Sequence, residues 1–260
     1  MAVITLTTDL GTKDYYLSTI KGAIISQYPE AQIVDISHEI TKHDILQAAF
    51  TLRNAYRSFP KGTIHILGLN PESSIDSRHV AIFLDDHYFI GSDNGVFSLM
   101  FDKKPDKIVE LNLTQETDFL TFPTNDIFVK AACHIARGGT LEVIGKEIEN
   151  YHEKTMIRPI VDNNVLKGSV IYIDSYGNVI TNITTSIFKE AGHDWDFTIY
   201  LKQTGYTISR ISATYDEVPN GEKLALFSST GYLEIAINQG SASGLMGLDL
   251  NDTIRIEFNG

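Results

Sequence analysis

Apolar positions along the first half of this chain switch repeatedly between strand and helix spacing. Val3, Ile4 and Leu6 form a short run that Thr7 and Thr8 end, and Asp9-Leu10-Gly11 turns the chain towards a helical pattern carried by Leu17, Ile20 and Ile24. Residues 33–36 read as a second strand. Thr41-Lys42-His43-Asp44 has capping-box spacing and leads into Ile45, Ala48, Ala49, Leu52 and Tyr56 on one helical face. Residues 62–69 predict a third strand, and 80–84 and 88–91 flank Asp85-Asp86-His87 as a hairpin. A short helix is expected after Asp93-Asn94-Gly95, a strand at 108–113, and a helix from Asp126 to a stop at Gly138-Gly139. This order predicts an α/β domain, a central and mostly parallel sheet covered by helices, with a hairpin added.

The period changes after about Gly145. Residues 147–164 are polar, broken by Pro159 and aperiodic, and read as a linker. Beyond them short alternating runs occur at 168–173, 197–201, 223–227, 232–237 and 253–258, with only 186–191 helical. Gly, Asn and Asp turns separate them, which predicts a small all-β, barrel-like domain. The expected division is 1–146, a linker at 147–164, and 165–260.

Composition narrows the function classes. A chain of 260 residues with a net charge of −12 lacks the basic face that a nucleic acid or an anionic membrane requires. No apolar run is long enough to span a bilayer and no signal-peptide pattern opens the chain, so a cytoplasmic location is expected. Cys133 is the sole cysteine, which excludes an internal disulfide and a cysteine metal cluster; its apolar surroundings make it a core residue.

Candidate chemistry begins at Asp9, a carboxylate just past a strand's end. Ligands of open α/β sheets bind there, so Asp9 is placed to accept hydrogen bonds from sugar hydroxyls; alternatively it caps the next helix. In the second half, YIDSYGNVITN at 172–182 is a hairpin with Asp174 at a strand end and Gly177-Asn178 in the turn. FSSTGYLEIAIN at 227–238 contains Glu234 within an apolar strand, where a carboxylate needs a partner or an exposed face.

TTDLG at 7–11, VDISHEI at 34–40, SDNG at 92–95, DSYGNVITN at 174–182 and SSTGYLEIAINQGSA at 228–242 together resemble one family over nearly the whole chain. That family is the S-adenosylmethionine hydroxide adenosyltransferases, with their fluorinase and chlorinase relatives. The resemblance implies an α/β N-terminal domain, a smaller barrel-like C-terminal domain, and a homotrimer binding S-adenosylmethionine between the N-terminal domain of one subunit and the C-terminal domain of its neighbour. It implies an in-line displacement at the ribose 5′ carbon by water or hydroxide, giving adenosine and L-methionine, or by halide in the halogenating members. The sulfonium makes methionine a good neutral leaving group, so neither metal nor cofactor is expected; S-adenosylmethionine is the substrate.

Carried over by position, Asp9 matches the carboxylate that holds the ribose hydroxyls. Asp174 and Asn178 match positions binding adenine and the methionine amino group, and Tyr215 an aromatic ring against adenine. Ser229 and Glu234 match contacts to the base or the methionine end, and Ile237 lines the same strand. His38 lies in a family motif, with a structural role as the alternative reading.

The catalytic stretch departs from the family. Hydrolytic members carry Asp-Pro-Gly-Val-Gly before an arginine and later Phe-His-Gly-Arg-Asp; here Asn70-Pro71-Glu72-Ser73-Ser74-Ile75-Asp76-Ser77-Arg78 and Phe122-Pro123-Thr124-Asn125-Asp126 stand in those places. Asparagine and proline cannot act as bases, and only Arg78 is kept. Ser73 and Thr124 fall where the halide branch places hydroxyls, and the loop length matches the fluorinase type, although the fluorinase aromatic is Asn70 here and its large insertion is missing. Arg78, Asn70, Ser73 and Thr124 are therefore the candidate catalytic residues, with Asp76 and His79 as substitute polar groups. Hydrolysis is the expected reaction. Halide transfer and non-catalytic binding of S-adenosylmethionine or adenosine are the alternatives.

Overall fold

The structure, a computed structural model, describes residues 1–69, 78–114, 121–193, 195–202 and 205–259. Asn70, Ser73 and Asp76 lie outside the described residues. Two compact units divide the chain, Met1–Thr155 and Met156–Gly260. The stretch 147–164 contributes Glu147 to one short strand and Ile160–Asp162 to another. Among the described residues no helix is long and apolar enough to cross a membrane.

The first unit runs β1 (Val3–Thr8), α1 (Tyr16–Gln27), β2 (Gln32–Ser37), α2 (Ile45–Ala55), β3 (Ile64–Gly68), β4 (His79–Leu84), β5 (His87–Ser92), α3 (Val96–Met100), β6 (Lys107–Leu111), α4 (Val129–Ala136), α5 (Leu141–Ile144) and β7 (Gly145–Glu147). One sheet has the order β2-β1-β3-β5-β4-β6-β7. Both of its faces are covered. Ile4, Leu6, Ile64 and Ile66 pack with Ile20 and Ile24 of α1 and with Ala131, Ala132 and Cys133 of α4. Successive strand residues face opposite ways, so Thr5, His65 and Phe89 point to the other layer, where Tyr56 just beyond α2 meets His65 and Phe89 edge-on.

The sheet is mixed rather than mostly parallel. The pairings β1–β2, β1–β3 and β3–β5 are parallel, but β4–β5, β4–β6 and β6–β7 are antiparallel. The cause is local: Asp85 and Asp86 both take positive φ, 52° and 62°, the mirror-image turn that matches the twist of a tight hairpin. The hairpin sets β4 against β5; β6, antiparallel to β4, runs the same way as β5 again, and β7 is reversed once more. The helix expected from Asp126 opens with one wide turn at Thr124–Phe128 before α4.

The second unit contains β8 (Ile160–Asp162), β9 (Val165–Ile173), β10 (Val179–Thr184), α6 (Thr185–Gly192), β11 (Asp196–Tyr200), β12 (Thr207–Ile208), β13 (Ile211–Ser212), β14 (Lys223–Phe227), β15 (Tyr232–Ile237), α7 (Ala242–Met246) and β16 (Thr253–Asn259). The main path of its sheet is β12-β11-β16-β9-β10-β15-β14-β13, with β8 beside β9. Laid flat, the ends of that path would stand about 34 Å apart at ~4.8 Å per strand. Ile208 and Ile211 hold those ends within about 11 Å, because only three virtual bonds separate them. The sheet must therefore curl into a half-barrel around Leu166, Val170, Leu233, Ile235, Ile254 and Ile256. Two short helices, α6 and α7, accompany the strands, so the unit is mainly rather than wholly β.

Candidate functional site

In the first unit the candidate residues gather at one edge of the sheet. Thr8 pairs with Gly68, Leu67 with Gly91, and Ser92 with His79, so Thr8, Gly68, Ser92 and His79 form a row across four strands. The row spans about 14 Å at ~4.8 Å per strand. Asp9, Leu69, Asp93 and Arg78 come next along each strand. This is the carboxyl edge of the parallel part, the ligand-binding edge of such sheets.

Asp9 does not cap α1. That helix begins at Tyr16, seven residues on, with no side-chain cap. Instead Asp9 Oδ2 accepts the His43 N–H at 3.0 Å, and its backbone carbonyl accepts the Lys42 ammonium. Gly11, with φ +70°, closes the turn by donating its N–H to the His38 carbonyl at 2.8 Å. The result is a carboxylate only 7% exposed, fixed at the edge.

His38 braces this turn. Its Nδ1 is 2.8 Å from Thr8 Oγ1, and its Nε2 is 3.1 Å from Asp35 Oδ1 but outside hydrogen-bond alignment. The ring is buried, and both of its identified neighbours are protein groups. His38, which the resemblance groups with the substrate contacts, is bonded to Thr8 through its ring and to Gly11 through its carbonyl, on either side of Asp9 in the chain.

Thr124 reaches the same edge from the wide turn before α4. A methyl on Gly68 would lie 2.9 Å from Thr124 Cγ2 and 3.1 Å from Thr8 Cγ2, so glycine is what lets the threonines close over β3. Thr124 is 1% exposed and its hydroxyl has no hydrogen-bond partner among the described residues. Such a group calls for a ligand or a water.

Arg78 is engaged elsewhere. Its Nε donates to Asp93 Oδ2 at 2.8 Å, an Nη group donates to the Asn150 carbonyl, and Glu110 lies 3.7 Å away. Asp93 also accepts the His152 N–H at 2.7 Å. The arginine and the SDNG motif thus fasten residues 150–152 onto the sheet edge. His79 packs its ring edge-on against Phe128.

In the second unit a cavity of ≈ 710 Å³ is lined by Asp174, Tyr176, Asn178, Tyr215, Ile237, Gln239 and Gly240. The Asp174 carboxylate accepts the N–H groups of Tyr176 at 2.9 Å and Asn178 at 2.8 Å, and the Asn178 side-chain amide at 3.1 Å. Gly177, φ +81°, presses on Ser241, and its carbonyl accepts the Ser243 N–H at the start of α7. Tyr215 donates its hydroxyl to Glu234 Oε1 at 2.7 Å. Glu234 is 4% exposed, and burial raises its pKa above the usual carboxylate range. Burial and this bond likewise push the Tyr215 phenol up.

Of the residues carried over by resemblance, Asp174, Asn178, Tyr215 and Ile237 line this cavity, and Glu234 stands behind Tyr215. Ser229 does not join them. It is exposed in the turn before β15, at the end where Thr184 pairs with Tyr232, whereas Ile237 closes the opposite end. Tyr176, Gln239 and Gly240 were missed. The Gln239-Gly240 pair, with Gln239 at φ 55° and a bridge from Ile237 to Gly240, lies within the 228–242 motif, as Tyr176 lies within 174–182, and those motifs were the signal that pointed to them. No group of three or more His, Cys, Asp or Glu side chains could hold a metal ion among the described residues.

The fold and these two polar sites define a two-domain protein, an α/β unit with a buried acidic strand end and a curled β unit with a polar cavity. The family model for the SAM hydroxide adenosyltransferase N-terminal domain matches residues 4–145, and that for the C-terminal domain matches residues 168–255. The chain belongs to the SAM hydroxide adenosyltransferase family. It is 28% identical to an (R)-S-adenosyl-L-methionine hydrolase of Thermus thermophilus, over 95% of this chain and 96% of the relative. It is 23% identical to a fluorinase of Actinoplanes sp., over 91% of each. A solved uncharacterized conserved protein from Thermotoga maritima superposes with a TM-score of 0.89 at 28% identity, over 98% of this chain and 99% of that one.

Proposed function

We propose that this protein is an enzyme that cleaves S-adenosyl-L-methionine at the ribose 5′ carbon with water or hydroxide, giving adenosine and L-methionine. Membership of the family through both domains carries the reading. Asp9 holds the ribose diol from the carboxyl edge of β1, its orientation set by His43 N–H and the His38 brace. Asp174 and Asn178 present a carboxylate and an amide to the base and the amino end, and Tyr215 offers its ring to the base. Thr124 Oγ1 hydrogen-bonds the nucleophile. Water attacks the 5′ carbon as the carbon–sulfur bond breaks, the electron pair leaves on neutral methionine, and one proton is released. S-adenosyl-L-methionine enters as substrate, not cofactor. The same reading includes a cytoplasmic homotrimer with its sites at subunit interfaces, which light scattering at several concentrations tests.

Halide as the nucleophile is the second reading. The buried, unpartnered Thr124 hydroxyl favours it, because a desolvated halide needs donors rather than a base. Purified protein incubated with S-adenosyl-L-methionine without halide, then with chloride or fluoride, separates the readings by mass-resolved chromatography. Adenosine in every condition supports hydrolysis. A halogenated nucleoside appearing only with halide moves the protein to the second reading, and no product overturns both.

A further inference from the structure

We infer that Glu234 does not touch the substrate but is a positioning residue that anchors the Tyr215 ring as a fixed wall of the second unit's cavity. The inference rests on the proposed reading of that cavity as a nucleoside site. Glu234 sits mid-strand, paired with Ile180 on one side and Leu226 on the other, and it is not among the cavity's lining residues. Tyr215 is in the lining, yet the residue is 44% exposed. The short turn Tyr215–Glu217 buries none of its residues. Its other bonds are local, Glu217 taking the Ala213 N–H and the Arg210 guanidinium, and none of them reaches the ring.

Two bonds fasten this segment to β15 and the residue that follows it. Behind the turn, Asn238 Nδ2 donates to the Val218 carbonyl at 2.7 Å. In front, the Tyr215 hydroxyl reaches buried Glu234, and bonds to a carboxylate are about twice as strong as neutral ones. A carboxylate buried in an apolar strand is costly without a partner, so the pair also accounts for an acidic residue at this place. Held at its far end, the ring keeps its place along the cavity wall and loses less freedom on binding.

Calorimetric titration of adenosine and steady-state kinetics with S-adenosyl-L-methionine test the inference on wild type, Y215F, E234A, E234Q and the Y215F/E234A double variant. Y215F and E234A are each expected to weaken adenosine binding and raise KM about tenfold, with kcat within about twofold. The double variant is expected to be no worse than either single one, and E234Q, which keeps an acceptor oxygen, to stay near wild type. A further loss when E234A is added to Y215F would overturn the inference, because Glu234 would then act on substrate directly. Unchanged binding and KM in Y215F would also overturn it, and Y215F removes the tether from the exposed side even if E234A does not fold. Wild type that binds no adenosine refutes the nucleoside reading itself, whereas wild-type binding with unaffected variants refutes only the tether.

Discussion

Acid is expected to weaken the first unit through one buried imidazole. His65 is 0% exposed, its Nδ1 is 2.7 Å from Thr5 Oγ1, and its Nε2 is 3.2 Å from His87 Nδ1. Phe89 stacks on it and Tyr56 and Phe59 meet its edges. Burial first, and the neighbouring His87 second, push the His65 pKa down to about 3. The unfolded chain takes up that proton at its ordinary pKa of about 6.5, whereas the folded chain refuses it until about 3. More protons bind to the unfolded state across that window, so this contribution is present above about pH 6.5 and is lost progressively as pH falls towards 3. Between about pH 7.5 and pH 5 the loss from His65 is about 2 kcal/mol, near 1.4 kcal/mol for each pH unit below its unfolded pKa. For a unit of this size that corresponds to a fall of about 4–8 °C in melting temperature. Calorimetric melts of wild type and His65→Gln across this range measure it. The variant carries a pH-independent penalty, and the gap between the two should narrow by about 2 kcal/mol at the acid end. A gap that stays constant would refute the reasoning and mean that His65 takes up its proton at the same pH in the fold as in the unfolded chain.

Asp9→Asn keeps the volume and an oxygen for the His43 N–H but removes the charge, so KM for S-adenosyl-L-methionine should rise roughly 30- to 150-fold, from about 2–3 kcal/mol of charge-assisted bonding; an unchanged KM would count against ribose binding there. Gly68→Ala should push Thr124 off the sheet edge and destabilise the first unit by about 1–3 kcal/mol, read by denaturant unfolding together with a fall in turnover. Gly177→Ala meets both a positive φ and the Ser241 hydroxyl, and should lose about 1–3 kcal/mol and weaken adenosine binding, measured by melting and calorimetry. Arg78→Met strands Asp93 and should lower stability by about 3 kcal/mol, because the partner left behind is a buried carboxylate; an active variant of unchanged stability would deny the latch.

Local periodicity made most of the elements legible, and the family motifs identified the cavity turn. The hairpin at Asp85-Asp86 was legible, but the placing of β6 beside β4 and of β7 beside β6 was not, because an apolar run looks alike whichever way it is paired. Arg78 shows a second limit. A guanidinium just before the strand that opens at His79 suits catalysis or structure equally in sequence; that Asp93, 15 positions on, and Asn150, 72 positions on, accept its hydrogen bonds is seen only in the fold. Glu234 announced that it needed a partner, but the partner is 19 residues away across an irregular loop that no periodicity describes. Capping logic failed at Asp9 because α1 opens only at Tyr16, seven residues on, next to Leu17, the first residue of its apolar pattern. At α2 the cap is Asp44, which accepts the Gln47 N–H at 3.0 Å, three residues past the Thr41 at which the capping-box spacing would begin the helix.

The ends of the curled sheet carry a consequence for how copies of this protein can meet. β12 and β13 are two residues long each, joined by Ser209-Arg210. A stub of that length offers a visiting strand almost no unpaired N–H or C=O groups, and short edge strands are one way that native sheets avoid recruiting their neighbours. The path therefore has termini but hardly any template. Association through these two ends has to proceed through side-chain surfaces, which sequence can tune residue by residue, and not through backbone pairing, which would run on from copy to copy into fibres.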